Sequence, residues 1–91
     1  MNVKFNRSNR KFKKYVAIFT DGTKTHFGDN RYNDYTSHKD IARKNNYLAR
    51  HRTRENWNDF KSAGSLSRYI LWNKPTLRES IKDYKTRFKL N

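Results

Sequence analysis

The first half of the chain opens with the hydrophobic pattern of two paired β-strands. Residues 15–20 are aromatic and β-branched, which is the composition of a strand. Asp21-Gly22 follows at once and is a strong signal for a tight turn, and residues 24–28 have the pattern of the returning strand. The sequence therefore predicts an N-terminal β-hairpin. Because an isolated hairpin is only marginally stable in water, another element must cover one of its faces.

The middle of the chain predicts a polar loop followed by a basic helix. We interpret residues 29–36 as the loop, with room for a short third strand around residues 32–35. Ser37 then begins a capping-box pattern that is completed three positions later by Asp40. Residues 38–54 contain neither Gly nor Pro, and their apolar side chains form one narrow stripe among many bases. We call this predicted element the basic helix.

The last third predicts two further helical segments. Residues 65–72 have the pattern of a short buried helix of about two turns. Pro75 interrupts it, and Thr76 with Glu79 forms a second capping box. The clearest amphipathic stripe in the chain follows at helical spacing: Leu77, Ile81, Tyr84 and Phe88.

The charge distribution adds a basic arm to this picture. The 91 residues include 22 Lys and Arg against 8 Asp and Glu, which gives a formal net charge of +14. Residues 1–14 contain no acid and are predicted to form a flexible basic arm that becomes ordered on binding. Residues 15–91 are then a single small α+β domain, an N-terminal β-hairpin followed by two or three helices.

Such a charge attracts polyanions. It exceeds the magnitude of about 2–8 that keeps a small domain soluble, so we expect nucleic acid or an acidic protein surface as the partner. The bases of the arm and of the basic helix are the candidate polyanion-binding residues: Lys4, Arg7, Arg10, Lys11, Lys13, Lys14, Lys39, Arg43, Lys44, Arg50, Arg52 and Arg54. Four aromatic residues lie among them and are candidates for stacking on unpaired nucleobases: Phe5, Phe12, Tyr15 and Tyr47. For Tyr15 and Tyr47, burial trends favour covering a thin core instead.

Sequence motifs for catalysis are absent. The chain has no Cys, no nucleophile elbow and no Gly-rich phosphate loop, and its acids are scattered. Its three histidines lack the spacing of a zinc-binding pair: His26, His38 and His51. We therefore expect a protein without enzymatic activity, cofactor or metal, and keep a small metal-dependent nuclease as a weak alternative. No segment has the length of a membrane span or the pattern of a secretory signal, so we expect a soluble intracellular protein.

A second kind of binding function is docking on a larger assembly. A flexible arm joined to a small aromatic domain suits a cement-like subunit that threads between larger subunits. Aromatic side chains dominate the energetics of such interfaces, and three are candidate anchors: Tyr32, Tyr35 and Trp57. Trp72 and Phe60 are expected in the core instead.

Several strings between residues 14 and 89 carry a family resemblance. In order they include KYVAIF at 14–19, KTHFG at 24–28, DYT at 34–36, HKD at 38–40, RHR at 50–52, ENW at 55–57 and LWNKPTL at 71–77. This pattern resembles a family of small basic proteins encoded by nucleocytoplasmic large DNA viruses, the giant viruses. The resemblance implies a virion protein that is made in the host cytoplasm, or in the host nucleus, and it carries over no catalytic residues.

Together, these observations lead us to expect a structural component of a large DNA virus particle, a minor capsid or cement-type protein. Non-specific DNA or RNA binding through the arm and the basic helix is the alternative.

Overall fold

Three antiparallel strands open the chain in the computed structural model, which describes residues 1–91. They are β1 (Val3–Arg7), β2 (Lys13–Phe19) and β3 (Lys24–Asp29), in the spatial order β1-β2-β3. The hairpin of β2 and β3 confirms the prediction, with Val16 opposite His26. The tight turn between them includes Gly22, whose φ of +95° favours glycine.

The N-terminal segment that was predicted to be a flexible arm forms the first strand instead. β1 pairs with β2 from Val3 opposite Phe19 to Arg7 opposite Tyr15. Val3 is only 4% exposed, and Phe5 packs against the core, whereas Arg7 is exposed. The arm prediction was wrong for Val3–Arg7 because apolar side chains that alternate with polar ones bury enough surface to order a strand, even in a highly charged segment.

Four helices follow the sheet: α1 (Tyr35–His38), α2 (Ile41–His51), α3 (Ala63–Leu66) and α4 (Leu77–Arg87). Of the predicted basic helix, residues 38–54, only residues 41–51 form a continuous helix, α2. His38 ends α1, because Lys39 adopts a left-handed conformation with φ of 56°. Arg52 and Arg54 lie beyond the end of α2, which corrects the predicted C-terminal end of this helix. Asp40 caps α2 by accepting hydrogen bonds from the backbone N–H groups of Ala42 and Arg43. Ser37, the predicted cap, lies inside α1. None of these helices combines the length and the apolar character that crossing a bilayer requires.

The loop before α1 contains no third strand, which corrects the prediction for residues 32–35. The two C-terminal predictions agree better with the structure. α3 continues into a π-helical segment, Ser67–Leu71. Together, α3 and this segment form the short buried helix that was predicted at residues 65–72. At the start of α4, the Thr76 hydroxyl accepts from the backbone N–H of Glu79 and donates to its carboxylate at 2.7 Å.

The core lies between one face of the sheet and the C-terminal helices. Its buried members come from β1, β2, β3, α3, the π-helical segment, α4 and the chain end: Val3, Ala17, Phe19, Phe27, Leu66, Ile70, Leu71, Tyr84 and Leu90. Tyr84 lies in this cluster, and its hydroxyl donates to the carbonyl of Phe60 at 2.5 Å. Burial raises the pKa of Tyr84 above its usual range. The predicted stripe on α4 therefore faces the core.

β3 approaches the π-helical segment very closely. Gly28 has φ of +81°, and a Cβ placed there would lie 2.7 Å from Cδ1 of Leu71 and 3.2 Å from Cβ of Lys14. Only glycine fits this position without displacing its neighbours. These three residues also line a cleft between the sheet and the helices, so this contact fixes how the sheet and the helices meet there.

Candidate functional site

A cleft of about 610 Å³ lies between the sheet and the helices. The start of β2 and the end of β3 line one side, and α2, α3 and Trp72 line the other. Four of the candidate polyanion-binding residues line it, although they are far apart in the sequence: Lys13, Lys14, Arg43 and Arg50. Its volume falls in the range of about 300–1,000 Å³ that ligand pockets occupy.

Most of the candidate cations are open to solvent. All twelve are exposed except Lys14 and Lys44, and none of the exposed ones takes part in an ion pair. Lys13, Arg43 and Arg50 are thus available in the cleft. The others lie outside its lining: Lys4, Arg7, Arg10, Lys11, Lys39, Arg52 and Arg54.

Lys14 is committed to an internal ion pair. Its Nζ contacts the carboxylate of Asp34, which is almost completely buried. Asp34 also caps α1 by accepting from the backbone N–H of Thr36 at 2.9 Å. The pair therefore fastens β2 to the start of α1, and the charge of Lys14 is already neutralised.

Lys44 is engaged at the end of the π-helical segment. Its Nζ donates to the carbonyl of Asn73 at 2.6 Å, and Arg68 Nη1 donates to the carbonyl of Trp72 at 3.3 Å. Carbonyls at a helix C-terminus lack intrahelical donors and carry partial negative charge, so both cations stabilise this end. Burial lowers the pKa of Lys44 and of Arg68, and the charge of Arg68 lowers that of Lys44 further.

A stack of aromatic rings forms one wall of the cleft. Tyr47 lies between His51 and Trp72, with ring centroids 4.2 Å and 4.3 Å away, and its ring is nearly parallel to that of Trp72. His51 Nδ1 lies 3.1 Å from the carboxylate of Glu55, which holds the outer ring in place. Burial raises the pKa of Tyr47 above its usual range. Tyr47 therefore serves packing, as burial trends favoured.

The three predicted interface anchors differ in their environment. Tyr35 is only 8% exposed. Trp57 is half-buried, and its Nε1 donates to Glu55 at 2.9 Å. Tyr32 is 69% exposed and lines the cleft. Of the three, only Tyr32 is mostly exposed to solvent.

Sequence reasoning named Lys11, Phe12 and Tyr32 separately but missed Arg31 and the cluster that it forms with them beside the cleft. Arg31 Nε and Nη2 donate to the two carboxylate oxygens of Asp29 at 3.0 Å and 2.8 Å. The side-chain hydrogen bond from Arg31, and then that from its backbone N–H, lower the pKa of Asp29 to about 2. The guanidinium lies 4.2 Å from the ring centroid of Phe12, and Lys11 lies 5.0 Å from that centroid on the β1–β2 turn. No local pattern brings positions 12 and 31 together, because they meet only when the sheet forms.

The three histidines have different hydrogen-bond partners. His26 Nδ1 lies 2.7 Å from the hydroxyl of Ser8, and His38 Nδ1 accepts from the backbone N–H of Asp40 at 2.9 Å. Desolvation, followed by the positive charges of neighbouring bases, lowers the pKa of His26. No three His, Asp or Glu side chains come together in an arrangement that could hold a metal ion.

Comparison with known proteins gives a family. Residues 3–51 match the family of unknown function DUF5754. No curated protein and no solved structure matches the chain. The matched segment contains the whole sheet and continues to the end of α2, so it includes the basic side chains of the cleft. The chain belongs to the DUF5754 family.

Proposed function

We propose that this member of the DUF5754 family is a non-enzymatic binding protein whose ligand is nucleic acid. The observation that carries the proposal is the set of exposed cations that form no salt bridge, three of which line the cleft: Lys13, Arg43 and Arg50. The three carboxylates that also line the cleft are engaged by other side chains: Asp29 by Arg31, Asp34 by Lys14 and Glu55 by His51. Lys13, Arg43 and Arg50 therefore leave uncompensated positive charge at the cleft, and like charges repel one another. A phosphate backbone removes this repulsion and releases its own counterions, which makes the association favourable.

The aromatic residues favour nucleic acid over an acidic protein surface. Anchors of protein interfaces insert their rings into pockets of the partner. Tyr35 is buried in this chain and Trp57 is held by Glu55, so neither ring is free to do this. The remaining ring, Tyr32, lines the cleft together with exposed cationic side chains. This arrangement suits a ligand that carries both phosphates and nucleobases.

A structural protein of a large DNA virus particle is the second candidate, supported by the family resemblance and by one observation. Many exposed cations lie outside the cleft, and Lys4 lines a separate groove with Asn2 and the chain end at Asn91. Charges on more than one side suit a small subunit that is enclosed by larger acidic ones. In that case the residues that bind the partner extend well beyond the cleft.

Two variants with equal charge test the location of the site. The first replaces the cleft cations by Gln: Lys13, Arg43 and Arg50. The control replaces three exposed cations that do not line the cleft: Arg78, Lys82 and Lys89. We expect the first variant to lose affinity for a short DNA at physiological salt on the order of tenfold or more, because it loses up to three phosphate contacts, and the control to lose much less.

The outcomes separate the candidates. Equal losses in the two variants would contradict a defined site and leave only general charge attraction. Absence of DNA binding by the full chain at low salt would overturn the nucleic-acid proposal and favour the acidic assembly. Metal-dependent cutting of the DNA that disappears in His38→Ala or His51→Ala would instead support the nuclease.

A further inference from the structure

Two aromatic rings are held in solvent beside the cleft, which is uncommon for side chains of this size. Phe12 is 40% exposed and Tyr32 is 69% exposed. Arg31 joins them, with its guanidinium 4.2 Å from the centroid of Phe12 and 6.0 Å from that of Tyr32. We call Phe12, Arg31 and Tyr32 the aromatic tip.

The backbone holds Phe12 outward against its own preference. Its φ is 66°, a left-handed conformation that is rare for a bulky residue. Its carbonyl accepts from the N–H of Asn30 at 3.1 Å, and the next residue, Lys13, donates to the carbonyl of Arg10 at 3.2 Å. Strained conformations of this kind persist only where the surrounding structure enforces them, and they concentrate at ligand-binding positions.

Arg31 is fixed before any ligand arrives. Its two hydrogen bonds to Asp29 orient the planar guanidinium and place a carboxylate against its charge. It therefore contributes a flat surface against Phe12 more than a free cation for phosphate. Lys11 Nζ lies 5.0 Å from the centroid of Phe12, and Arg10 and Lys13 lie within two residues of Phe12 in the chain. All three are exposed and form no salt bridge.

From this arrangement we infer that the aromatic tip stacks on unpaired bases, so that the ligand of the cleft is single-stranded rather than duplex nucleic acid. The inference rests on the proposed function and specifies its ligand class. Bases in a duplex are stacked on each other, whereas a single strand offers the face of every base to an aromatic ring. Exposed rings next to unpaired cations match the alternation of bases and phosphates along a single strand.

The test uses probes that separate bases from phosphates. Affinities of the full chain are measured for oligothymidylate of about 15 nucleotides, for an abasic strand of the same length and for a duplex of the same length. The variants are Tyr32→Ala and Phe12→Gly, the second of which suits the left-handed backbone. Tyr32→Phe is the matched control, because it keeps the ring. Cooperative urea unfolding of each variant shows that it is folded.

We expect the wild-type protein to prefer oligothymidylate to the abasic strand. Tyr32→Ala should lower the affinity for oligothymidylate by about 5- to 150-fold, the effect of removing one stacked base, and should leave the abasic strand and the duplex within about twofold. Phe12→Gly should act in the same direction, and Tyr32→Phe should bind as the wild type does.

Three results would overturn the inference in different ways. Equal affinity for all three probes, with no effect of either variant, removes stacking but leaves salt-dependent binding of phosphates intact. Equal losses for all three probes in Tyr32→Ala show that the ring only shapes the cleft. A wild-type protein that binds none of the probes at low salt removes the proposed function as well.

Discussion

Replacing Gly28 by Ala places a methyl group in the contact between β3 and the π-helical segment. Ala in a left-handed conformation costs about 1–2 kcal/mol, and Gly28 has φ of +81°. The new Cβ would also lie 2.7 Å from Leu71 and 3.2 Å from Lys14, and overpacking of this kind costs about 1–3 kcal/mol. We therefore expect Gly28→Ala to lower the free energy of unfolding by about 2–5 kcal/mol. A chain of this length has roughly 5–14 kcal/mol in total, so the variant still folds at 25 °C if the protein is not at the low end.

Gly22→Ala is the matched control. Gly22 has φ of +95°, but no atom lies within 4 Å of the position of its Cβ. Gly22→Ala should lower the free energy of unfolding only by the cost of the left-handed conformation, about 1–2 kcal/mol. Urea unfolding followed by tryptophan fluorescence measures both variants, and their difference reports the packing at Gly28. Equal losses of unfolding free energy in the two variants would refute the reasoning, because they would show that β3 does not pack tightly against Leu71.

Three further predictions concern single side chains. Asp34→Ala should lower the free energy of unfolding by roughly 2–4 kcal/mol, because it removes a helix cap and leaves Lys14 without its partner; a loss within the error of urea unfolding would contradict the internal role of this pair. Tyr84→Phe should lower it by about 0.5–1.5 kcal/mol, since the carbonyl of Phe60 loses its donor, and an unchanged unfolding midpoint would argue against this hydrogen bond. The pKa of His26, measured by NMR of the free protein, should lie below 6.5. The free energy of unfolding should therefore fall as the pH falls from 6.5 toward the folded-state pKa, and a polyanion that neutralises the neighbouring basic side chains should raise that pKa. A free-protein pKa above 6.5 would contradict this electrostatic account.

The parts of the fold that the sequence predicts well depend on local signals. The turn at Asp21-Gly22 defines the hairpin, and the capping pattern of Thr76 with Glu79 begins α4 where expected. The first strand was missed because the six bases and the absence of acids in residues 1–14 indicated a flexible arm, although Val3 and Phe5 alternate as inward residues of a strand do. Nothing in the residue types around Lys39 marks its left-handed conformation, so the break between α1 and α2 could not be anticipated.

The candidate site shows a sharper limit of sequence reasoning. Charge identifies which residues are cations, but only tertiary structure shows which remain free. Lys14 meets Asp34, 20 positions away, and Lys44 meets the carbonyl of Asn73, 29 positions away. Neither contact has a local signature. Phe12 and Tyr32 were candidates from the sequence, but their meeting through Arg31 was missed for the same reason, since Phe12 lies in the β1–β2 turn and Arg31 in the loop after β3.

The strand β1 also decides how the N-terminal charge should be tested. Deleting residues 1–14 would remove Val3 from the core and one edge of the sheet, so a loss of binding would report a loss of folding. Substituting the exposed bases Arg10, Lys11 and Lys13 by Gln keeps β1 intact. The contribution of these charges can then be measured in a folded protein.

The most direct test of nucleic-acid binding is the affinity of the full chain for a single-stranded oligonucleotide between about 50 and 200 mM salt. The free cations at the cleft and the tip allow at least four phosphate contacts, so the logarithm of affinity should fall against the logarithm of salt with a slope of about −3 or steeper. Replacing Arg10, Lys11 and Lys13 by Gln should make this slope less negative by about 2. A slope near zero, or no binding even at the lowest salt, would contradict nucleic-acid binding and direct the search to an acidic protein partner.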